Sequence, residues 1–392
     1  MDMHATTAPP SGLSEEQLAF REAARDFALA ELAPHAARWD AEAEFPRETI
    51  AKAGELGFCG LYINESAGGS GLGRLDAAVV FEELAAIDPS TAAFISIHNM
   101  ATWMLTAHAQ PALCEAWGPA LASGAKLTSY CLTEPGAGSD AASLRTRAVR
   151  DGDTWVLNGS KAFISGAGVT DMLVVMARSG DEGARGISAF AVPADLPGIT
   201  YGRKEEKLGW NSQPTRGITF EDVRVPAGHL LGSEGEGFKI AMKGLDGGRI
   251  NIAACSLGAA QGALDAARHY MGERQQFGKK LAEFQALQFK LADMATQLVA
   301  ARQMVHTAAH KLDTRSSDAT VWCAMAKRFA TDAGFAICNE ALQIHGGYGY
   351  VREYPIERLL RDCRVHQILE GTNEIMRVII ARHLLKTEEE LR

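Results

Sequence analysis

The spacing of apolar residues divides the chain into three stretches with different periodicities. From Ser14 to about Gly124 apolar positions recur three to four residues apart, which is typical of amphipathic helices. Ser14 stands three residues before Gln17, a spacing that predicts a capping box at the start of the first helix. A further helical run covers residues 75–84, after a Gly-rich loop.

Between Lys126 and about Gly232 the pattern changes to short apolar runs separated by turn signals such as Asp151-Gly152-Asp153. Closely spaced runs of this kind predict β-strands. The expected strands are 127–132, 146–150, 155–157, 173–177, 187–192 and 218–220.

After Gly237 helical spacing returns and continues to the C-terminus. Four long helices are expected here, which suggests a bundle, and the fold class is therefore α+β. The predicted helices are 237–271, 285–313, 317–343 and 373–385. The expected organisation is a loose tail (1–12), an N-terminal helical domain (13–125), a middle β domain (126–232) and a C-terminal helical bundle (233–392).

Charge and cysteine content narrow the functional classes. The 392 residues include 39 Lys and Arg against 48 Asp and Glu, a net charge of −9 that argues against nucleic acid or an anionic membrane as a partner. A phosphate-bearing cofactor stays compatible, because local arginines and helix N-termini can hold it. Seven scattered cysteines without a C-x-x-C pair suggest reduced thiols and no zinc site. With no apolar run long enough to span a bilayer and no recognisable signal, we expect a cytoplasmic protein.

Three glycine clusters suggest backbone that approaches a ligand. Residues 136–141 match G-x-G-x-x-A, but Pro135 precedes them and strand-like residues follow, so a strand-to-strand loop is favoured over a Rossmann turn. Residues 345–349 (His-Gly-Gly-Tyr-Gly) form either a helix C-cap or a ligand contact. Residues 246–249 (Asp-Gly-Gly-Arg) interrupt a helical pattern, which suggests that another group passes close to that backbone.

Glu370 is the candidate catalytic carboxylate. It follows an apolar pair and precedes Gly371, and Asn373 is a plausible cap for the last helix. In an apolar pocket its pKa would rise and it would become a useful general base, whereas in a helix-entry turn it would be an ordinary solvated glutamate. His98, His345 and His366 lack metal-ligand spacing and are interpreted as structural.

Taken together, these segments resemble the acyl-CoA dehydrogenase family from about Leu13 to Leu385. Five motifs in family order carry the resemblance. They are Tyr130-Cys-Leu-Thr-Glu-Pro-Gly-Ala-Gly-Ser-Asp140, Asn158-Gly-Ser-Lys-Ala-Phe-Ile-Ser165, Arg274-Gln-Gln-Phe277, Gln343-Ile-His-Gly-Gly347 and Ile368-Leu-Glu-Gly-Thr-Asn-Glu374.

The resemblance implies a bound FAD. The residues that match contacts to its flavin end are Tyr130, Leu132, Thr133, Gly138, Ser139, Phe163, Ile164 and Ser165. Those that match its pyrophosphate and adenosine end, partly across a subunit interface, are Arg274, Phe277, Phe284, Gln285, Gln343, Ile344, His345, Gly346, Gly347, Thr372 and Glu374. A homotetramer is implied for the same reason.

The resemblance also implies the chemistry. Glu370 matches the base that removes the α proton of an acyl thioester while the β hydrogen leaves as hydride to the flavin, with the Glu370 N–H polarising the thioester carbonyl. Some members carry the base on an earlier helix, immediately before an arginine. This chain has Gly248 there, before Arg249, which leaves Glu370 as the expected base.

Substrate contacts are implied for Ser139, Asp246, Gly247, Gly248, Arg249 and Arg382. The runs 96–100, 209–216 and 247–258 resemble the members that act on short acyl-CoA thioesters branched at the α carbon, with isobutyryl-CoA expected and 2-methylbutyryl-CoA or butyryl-CoA as alternatives. The implied electron acceptor is an electron-transferring flavoprotein. A flavin oxidase or monooxygenase, or a non-catalytic acyl-CoA-binding scaffold, is less favoured because the carboxylate and the cofactor motifs are present.

Overall fold

The first third of the chain is helical, as its periodicity predicts. The structure is a computed structural model that describes residues 12–385. The capping box is confirmed: the Gln17 N–H donates to the Ser14 hydroxyl at 3.2 Å, and the Ser14 N–H donates to the Gln17 side chain at 3.0 Å. The helices here are α1 (Glu15–Phe27), α2 (Ala36–Glu42), α3 (Arg47–Glu55), α4 (Arg74–Ile87), α5 (Pro89–His108) and α6 (Pro111–Ala122).

Helices α4 and α5 are the buried pair of this region. Both are apolar on nearly every face, and α4 packs against α1 on one side and the long helix of the C-terminal bundle on the other. Pro89 lies in the first turn of α5, where its missing N–H removes no helical hydrogen bond. The pair therefore forms the wall between the N-terminal helices and the bundle.

The middle of the chain forms one eight-stranded sheet. Its main path runs β6-β7-β3-β2-β4-β5-β8, while β1 pairs in parallel with β4. All six predicted strands are present, whereas β6 and β8, at three and two residues, are too short to show alternation in the sequence. The strands are β1 (Thr128–Cys131), β2 (Arg147–Asp151), β3 (Thr154–Ser165), β4 (Met172–Arg178), β5 (Ile187–Pro193), β6 (Ile199–Tyr201), β7 (Thr215–Pro226) and β8 (Leu230–Leu231).

The loop at 136–141 leads from β1 to β2 through a single 3-10 turn, Ala141–Ser143, and opens no α-helix. The strand-to-strand interpretation is therefore confirmed and a Rossmann turn is excluded at this position. The antiparallel ladder between β3 and β7 shifts register between Lys161 and Ile164, and this irregularity lies beside Phe163.

The C-terminal part is a helical bundle with one more helix than the four predicted. The additional helix, α10, carries apolar residues at positions 356, 359, 360 and 363, a helical spacing that is visible in the sequence but spans only nine residues. The helices are α7 (Gly237–Glu273), α8 (Gln285–Asp313), α9 (Ala319–His345), α10 (Ile356–Arg364) and α11 (Asn373–Leu384). A short hairpin, β9 (Gln275–Gln276) and β10 (Lys279–Lys280), follows α7.

Helix α7 continues without a break through residues 246–249, although two glycines there lower its intrinsic helix propensity by about 1 kcal/mol each. Small residues on α7 allow close packing elsewhere too. A β-carbon at Gly258 would lie 2.1 Å from the backbone oxygen of Glu82 on α4, and one at Gly262 would lie 2.2 Å from that of Ala86. Tertiary packing therefore requires glycine at positions 258 and 262 of α7 despite its low helix propensity.

Across residues 12–385, no helix is both long enough and apolar enough to cross a membrane.

Candidate active site

Glu370 lies in a strained turn that the bundle holds in place. Its φ of 55° is in the left-handed region, an unfavourable conformation for a residue with a side chain. The Thr372 hydroxyl accepts a hydrogen bond from the N–H of Ile375 at 3.3 Å and caps α11 on one side. Lys327 of α9 donates to the Gly371 carbonyl and to the Asn373 side chain, both at 2.9 Å. The turn is thus fastened to α9 and α11.

The Glu370 carboxylate points at the glycines of α7. Its Oε2 is shielded from solvent and has no hydrogen-bond partner among the described residues. A β-carbon at Gly248 would lie 2.5 Å from that oxygen and 2.7 Å from the sulfur of Met100 on α5. Burial raises the pKa of Glu370 to about 7, against the opposing charges of Arg249 and Lys327. A carboxyl with such a pKa can accept or release a proton near neutral pH.

Arg249 connects the Glu370 turn to α7 and α9. Its Nε donates to the backbone oxygen of Glu370 at 3.3 Å, and its Nη1 donates to Asp246 at 2.7 Å. The Thr320 hydroxyl donates to the other oxygen of Asp246 at 2.7 Å. Asp246, Gly247, Gly248 and Arg249 therefore lie together, beside the carboxylate that the last motif supplies.

Tyr130 brings the end of β1 to the same place. Its hydroxyl is buried and has no partner within residues 12–385. Burial, assisted by the nearby charge of Glu370, holds the pKa of Tyr130 well above its usual range, so the phenol stays neutral. Two unpartnered buried oxygens, one on Tyr130 and one on Glu370, thus lie close enough to interact electrostatically, an arrangement that suggests a polar ligand.

A buried ion pair supports the loop that follows Tyr130. Lys161 on β3, with a fully buried side chain, donates to Glu134 at 2.8 Å and to the Leu132 carbonyl at 3.1 Å. Glu134 also accepts the N–H groups of Arg145 and Thr146, at 2.6 and 2.9 Å. Both charged residues lie within the motifs, but the motifs alone indicate no role for either of them.

The rest of this loop is open. A β-carbon at Gly136 or Gly138 would meet no atom within 4 Å, and Ser139 is exposed. Phe163, at the neighbouring strand irregularity, has a φ of 58° and an exposed fraction of 69%. Thr133 and Ser165 are half-buried and Ile164 is buried. This loop has open backbone and lies next to an exposed phenylalanine with a strained backbone conformation. Such a surface is compatible with a large planar ligand.

The second predicted group of cofactor residues lies at the other end of α7. Gly248 and Arg274 are 26 residues apart, which is about 39 Å at the rise of an α-helix. Phe277 lies at the tip of the β9–β10 hairpin with a φ of 54° and an exposed fraction of 93%. His345 stacks on Tyr270 with ring centroids 4.4 Å apart.

In this second group, Phe277 and Phe284 lie in edge-to-face contact at 6.3 Å. Gln285 begins α8, and Ile344 is buried near the end of α9. Gln343, Gly346 and Gly347 are exposed, and β-carbons at the two glycines would meet nothing within 4 Å. Both groups of residues therefore fit parts of a dinucleotide, and about 39 Å of α7 separates Arg274 of the second group from Gly248, which faces Glu370.

A cleft of about 1060 Å³ adjoins the second group. It is bounded by α1, α4, the end of α7 and the start of α10, and its lining includes Arg274, His345 and Tyr348. Glu370 does not line it. The sequence motifs did not predict this cleft, because they supply only residues such as Arg274 and His345, and most of its walls come from α1, α4 and α10.

Two predicted site residues, Glu374 and Arg382, lie on α11, which follows the Glu370 turn. Glu374 is exposed in the first turn of α11 and lies 3.9 Å from Arg377. Arg382 is exposed near the end of α11, ten residues beyond Thr372 and so about 15 Å along the helix. Glu374 interacts with Thr372 and with the charge of Lys327 beside the Glu370 turn, whereas Arg382 lies about three turns further along α11.

The structure adds polar residues near Glu370 that sequence reasoning missed. Tyr62 and Asn251 are buried and hydrogen-bonded to each other at 3.0 Å, and the Arg74 guanidinium lies on the Tyr62 ring. Arg74 ends the Gly-rich loop before α4, and an arginine after such a loop was the one available signal. His98 and His366 take structural hydrogen bonds, as expected, to Leu121 and Ser256.

Three domain models of one family match the chain. The N-terminal domain of the acyl-CoA dehydrogenases matches residues 14–125, the middle domain 129–223 and the C-terminal domain 235–385. The chain therefore belongs to the acyl-CoA dehydrogenase family and is a flavin-dependent oxidoreductase. The fold class and the family indicated by the five motifs are confirmed.

Individual relatives agree with this assignment. The chain is 54% identical over 378 residues to a bovine protein named isobutyryl-CoA dehydrogenase, mitochondrial, covering 96% of this chain and 91% of that one. Butyryl-CoA dehydrogenase from Megasphaera elsdenii superposes with a TM-score of 0.93 at 41% identity, covering 96% and 99% of the two chains. A chain from a study of the electron transferring flavoprotein of Acidaminococcus fermentans superposes with a TM-score of 0.94 at 42% identity, covering 96% and 100%.

Proposed function

We propose that this enzyme dehydrogenates a short acyl-CoA branched at the α carbon, converting isobutyryl-CoA to methacrylyl-CoA, as in the breakdown of valine, with FAD as cofactor. One observation carries the proposal: in an acyl-CoA dehydrogenase, the Glu370 carboxylate lies unpartnered against Gly248 with a pKa near 7. The similarity to a protein named isobutyryl-CoA dehydrogenase supports the choice of acyl group.

In this proposal Glu370 is the catalytic base. Its unpartnered Oε2 takes the α proton of the thioester, and the left-handed turn keeps that oxygen directed at the glycines of α7. The Glu370 backbone N–H donates to the thioester carbonyl and stabilises the negative charge that develops there. FAD, when bound, supplies the acceptor for the hydride from the β carbon.

Arg249 and Lys327 position this base. Arg249 holds the Glu370 carbonyl and Lys327 holds the next one, so both cations bind backbone rather than the carboxylate itself. Among residues 12–385 the carboxylate therefore has no direct ion pair, which would lower its pKa and weaken it as a base. We assign the contacts of Asp246, Gly247, Gly248 and Ser139 to the acyl-CoA.

We place the flavin end of FAD against residues 130–139 and 163–165, and the pyrophosphate and adenosine end against the group around Arg274 and residues 343–347 of a partner subunit. The position of Arg274, about 39 Å along α7 from the Gly248 that faces Glu370, supports this division. A homotetramer supplies such pairs of chains. Thr372 and Glu374 would contact the cofactor from the Glu370 side.

We further propose an electron-transferring flavoprotein as the acceptor, in line with a neighbour that comes from the study of such a protein. A reducing compartment suits the seven cysteines, all of them free thiols, and we propose the cytoplasm, although the bovine relative is named as mitochondrial. Domain limits of 13–125, 126–232 and 233–392 follow the change from helices to strands and back.

Steady-state kinetics of the FAD-loaded enzyme with three thioesters test the choice of substrate. We expect kcat/KM to be highest for isobutyryl-CoA, lower for 2-methylbutyryl-CoA and lower again for butyryl-CoA, with methacrylyl-CoA as the product of the first. A pocket distinguishes such acyl groups by one methyl or methylene, so differences of about 10- to 200-fold are expected. A preference for butyryl-CoA would replace this proposal with a straight short-chain dehydrogenase.

A further inference from the structure

A buried arginine lies beside the glycine pair that faces Glu370. Arg74, the first residue of α4, is 8% exposed. A β-carbon at Gly247 would lie 2.3 Å from its Nη1, just as one at Gly248 would lie 2.5 Å from the Glu370 oxygen. Consecutive glycines of α7 thus face a guanidinium and a carboxylate. Neither the family match nor the five motifs give Arg74 a role.

The guanidinium is held by aromatic rings rather than by a carboxylate. Its Cζ lies 3.5 Å from the centre of the Tyr62 ring and 5.4 Å from that of Trp103 on α5. Its Nη1 has no hydrogen-bond partner among residues 12–385. Burial raises the pKa of Tyr62, so the phenol stays neutral and contacts the guanidinium without supplying a negative charge.

Arg74 is also fixed at its backbone. Its N–H donates to both carboxylate oxygens of Asp313 at the end of α8, at 2.7 and 2.9 Å. The Tyr62 hydroxyl accepts a hydrogen bond from Asn251, one turn beyond Gly247 on α7. The side chain therefore has little freedom to move aside. An apolar chain that reached it would bury methylene groups against an unpaired cation, which is unfavourable.

We infer that Arg74, held between Tyr62 and Trp103, closes the end of the acyl pocket and determines how long an acyl chain the enzyme accepts. The glycines at 247 and 248 leave room for the guanidinium and for the Glu370 carboxylate, which lie side by side against α7, and Arg74 limits extension of the acyl chain. This inference depends on the proposed function, because it assigns the acyl end of the same pocket.

The test compares kcat/KM for isobutyryl-CoA, butyryl-CoA and hexanoyl-CoA in the FAD-loaded enzyme and in three variants. Arg74→Met keeps the length of the side chain without its charge, and Arg74→Lys keeps the charge. Arg302→Met is the matched control, because Arg302 is another buried arginine, paired with Glu82 away from Glu370. The ratio of two substrates on one preparation does not depend on how much of the protein is folded.

For Arg74→Met we expect the hexanoyl-CoA to isobutyryl-CoA ratio of kcat/KM to rise about tenfold or more, the amount that pocket shape contributes for one or two methylenes. Arg74→Lys and Arg302→Met should keep the ratio of the unmodified enzyme. An unchanged ratio in Arg74→Met would overturn the inference and leave the proposed function intact.

The unmodified enzyme gives a second test that requires no variant to fold. If it oxidised hexanoyl-CoA as efficiently as isobutyryl-CoA, Arg74 would not limit chain length and the inference would be wrong. If it oxidised none of the three thioesters while holding FAD, the proposed function itself would fail.

Discussion

Gly248 and Glu370 occupy complementary positions on two elements of the bundle: α7 lacks a side chain where the carboxylate of the Glu370 turn comes closest. A β-carbon at residue 248 would lie 2.5 Å from Oε2 of Glu370, closer than unbonded atoms can approach. In family members with the base on the earlier helix, that base would stand at this residue. The same small volume therefore accommodates one carboxylate, and in this chain it is supplied by residue 370.

Replacing Gly248 by alanine should disturb the carboxylate without unfolding α7. Overpacking costs about 1–3 kcal/mol, so we expect kcat/KM to fall about tenfold or more as Glu370 and Met100 are displaced. Gly272→Ala is the matched control on the same helix, because a β-carbon there would meet no atom within 4 Å. Steady-state kinetics of both variants check this, and equal activity in the two would show that the contact is unimportant.

The pH dependence of the reaction should report Glu370. Because burial raises its pKa to about 7, the carboxyl is half protonated near neutral pH, and kcat/KM should rise with pH through this region. Glu55→Gln serves as a control, since Glu55 is an exposed carboxylate at the end of α3, outside the proposed site. A pH profile of the unmodified enzyme that is flat from pH 6 to 8 would contradict the assignment.

The same group predicts a change of stability with pH. A folded-state pKa above the unfolded value means that the contribution of Glu370 to stability is fully present below about pH 4.5 and is lost as the pH rises through about 7. Glu370→Gln should therefore raise the melting temperature more at pH 8 than at pH 5, relative to the unmodified protein. Calorimetry at both pH values measures the two melting temperatures. A larger gain at pH 5 than at pH 8 would contradict the prediction.

The ion pair between Lys161 and Glu134 should stabilise the loop that follows Tyr130. Burial alone would raise the pKa of Glu134. The charge of Lys161 and the N–H groups that donate to Glu134 hold that pKa below its usual range. Lys161→Met leaves a buried carboxylate unpaired, so we expect a loss of about 3–5 kcal/mol in the free energy of unfolding. The double variant Lys161→Met with Glu134→Gln should recover part of the lost free energy of unfolding. Urea unfolding of apoprotein and holoprotein distinguishes these outcomes.

The separation of the two cofactor groups predicts that FAD retention depends on assembly. Arg274 lies about 39 Å along α7 from Gly248, and we place it against the FAD of a partner subunit, so Arg274→Ala should weaken FAD binding. We expect FAD release on dilution to coincide with dissociation into single chains, followed by flavin fluorescence and light scattering. A single chain that retains FAD would contradict the division of the site between subunits.

The sequence predicted the elements well where periodicity was long and regular. The helix over 285–313 and the strand over 187–192 are present within one residue of their predicted limits, since each is a continuous apolar pattern. Helix α10 was missed because its nine residues follow a proline and carry many charges. The glycines at 247 and 248 weakened the expectation of an unbroken helix, yet α7 continues through them because its neighbours occupy the space that side chains would take.

The group of polar residues around Glu370 could be predicted only in part from the sequence. Glu370 was visible because it lies in a motif and residues 246–249 because they form a glycine cluster, and the structure brings them together. Tyr62, Arg74 and Asn251 come from a loop, the start of α4 and the middle of α7, and no local pattern links residues so far apart in sequence. Their association arises from tertiary packing of α4 and α5 against α7.

The central claim, that Glu370 removes the α proton, is tested most directly by mixing the FAD-loaded enzyme anaerobically with one equivalent of isobutyryl-CoA and following the flavin absorbance. The unmodified enzyme should bleach rapidly. Glu370→Gln, which keeps the shape of the side chain, should bind the thioester with similar affinity but bleach more slowly by a factor of about 10²–10⁴, the usual contribution of a general base. Bleaching at the unmodified rate in Glu370→Gln would contradict the account.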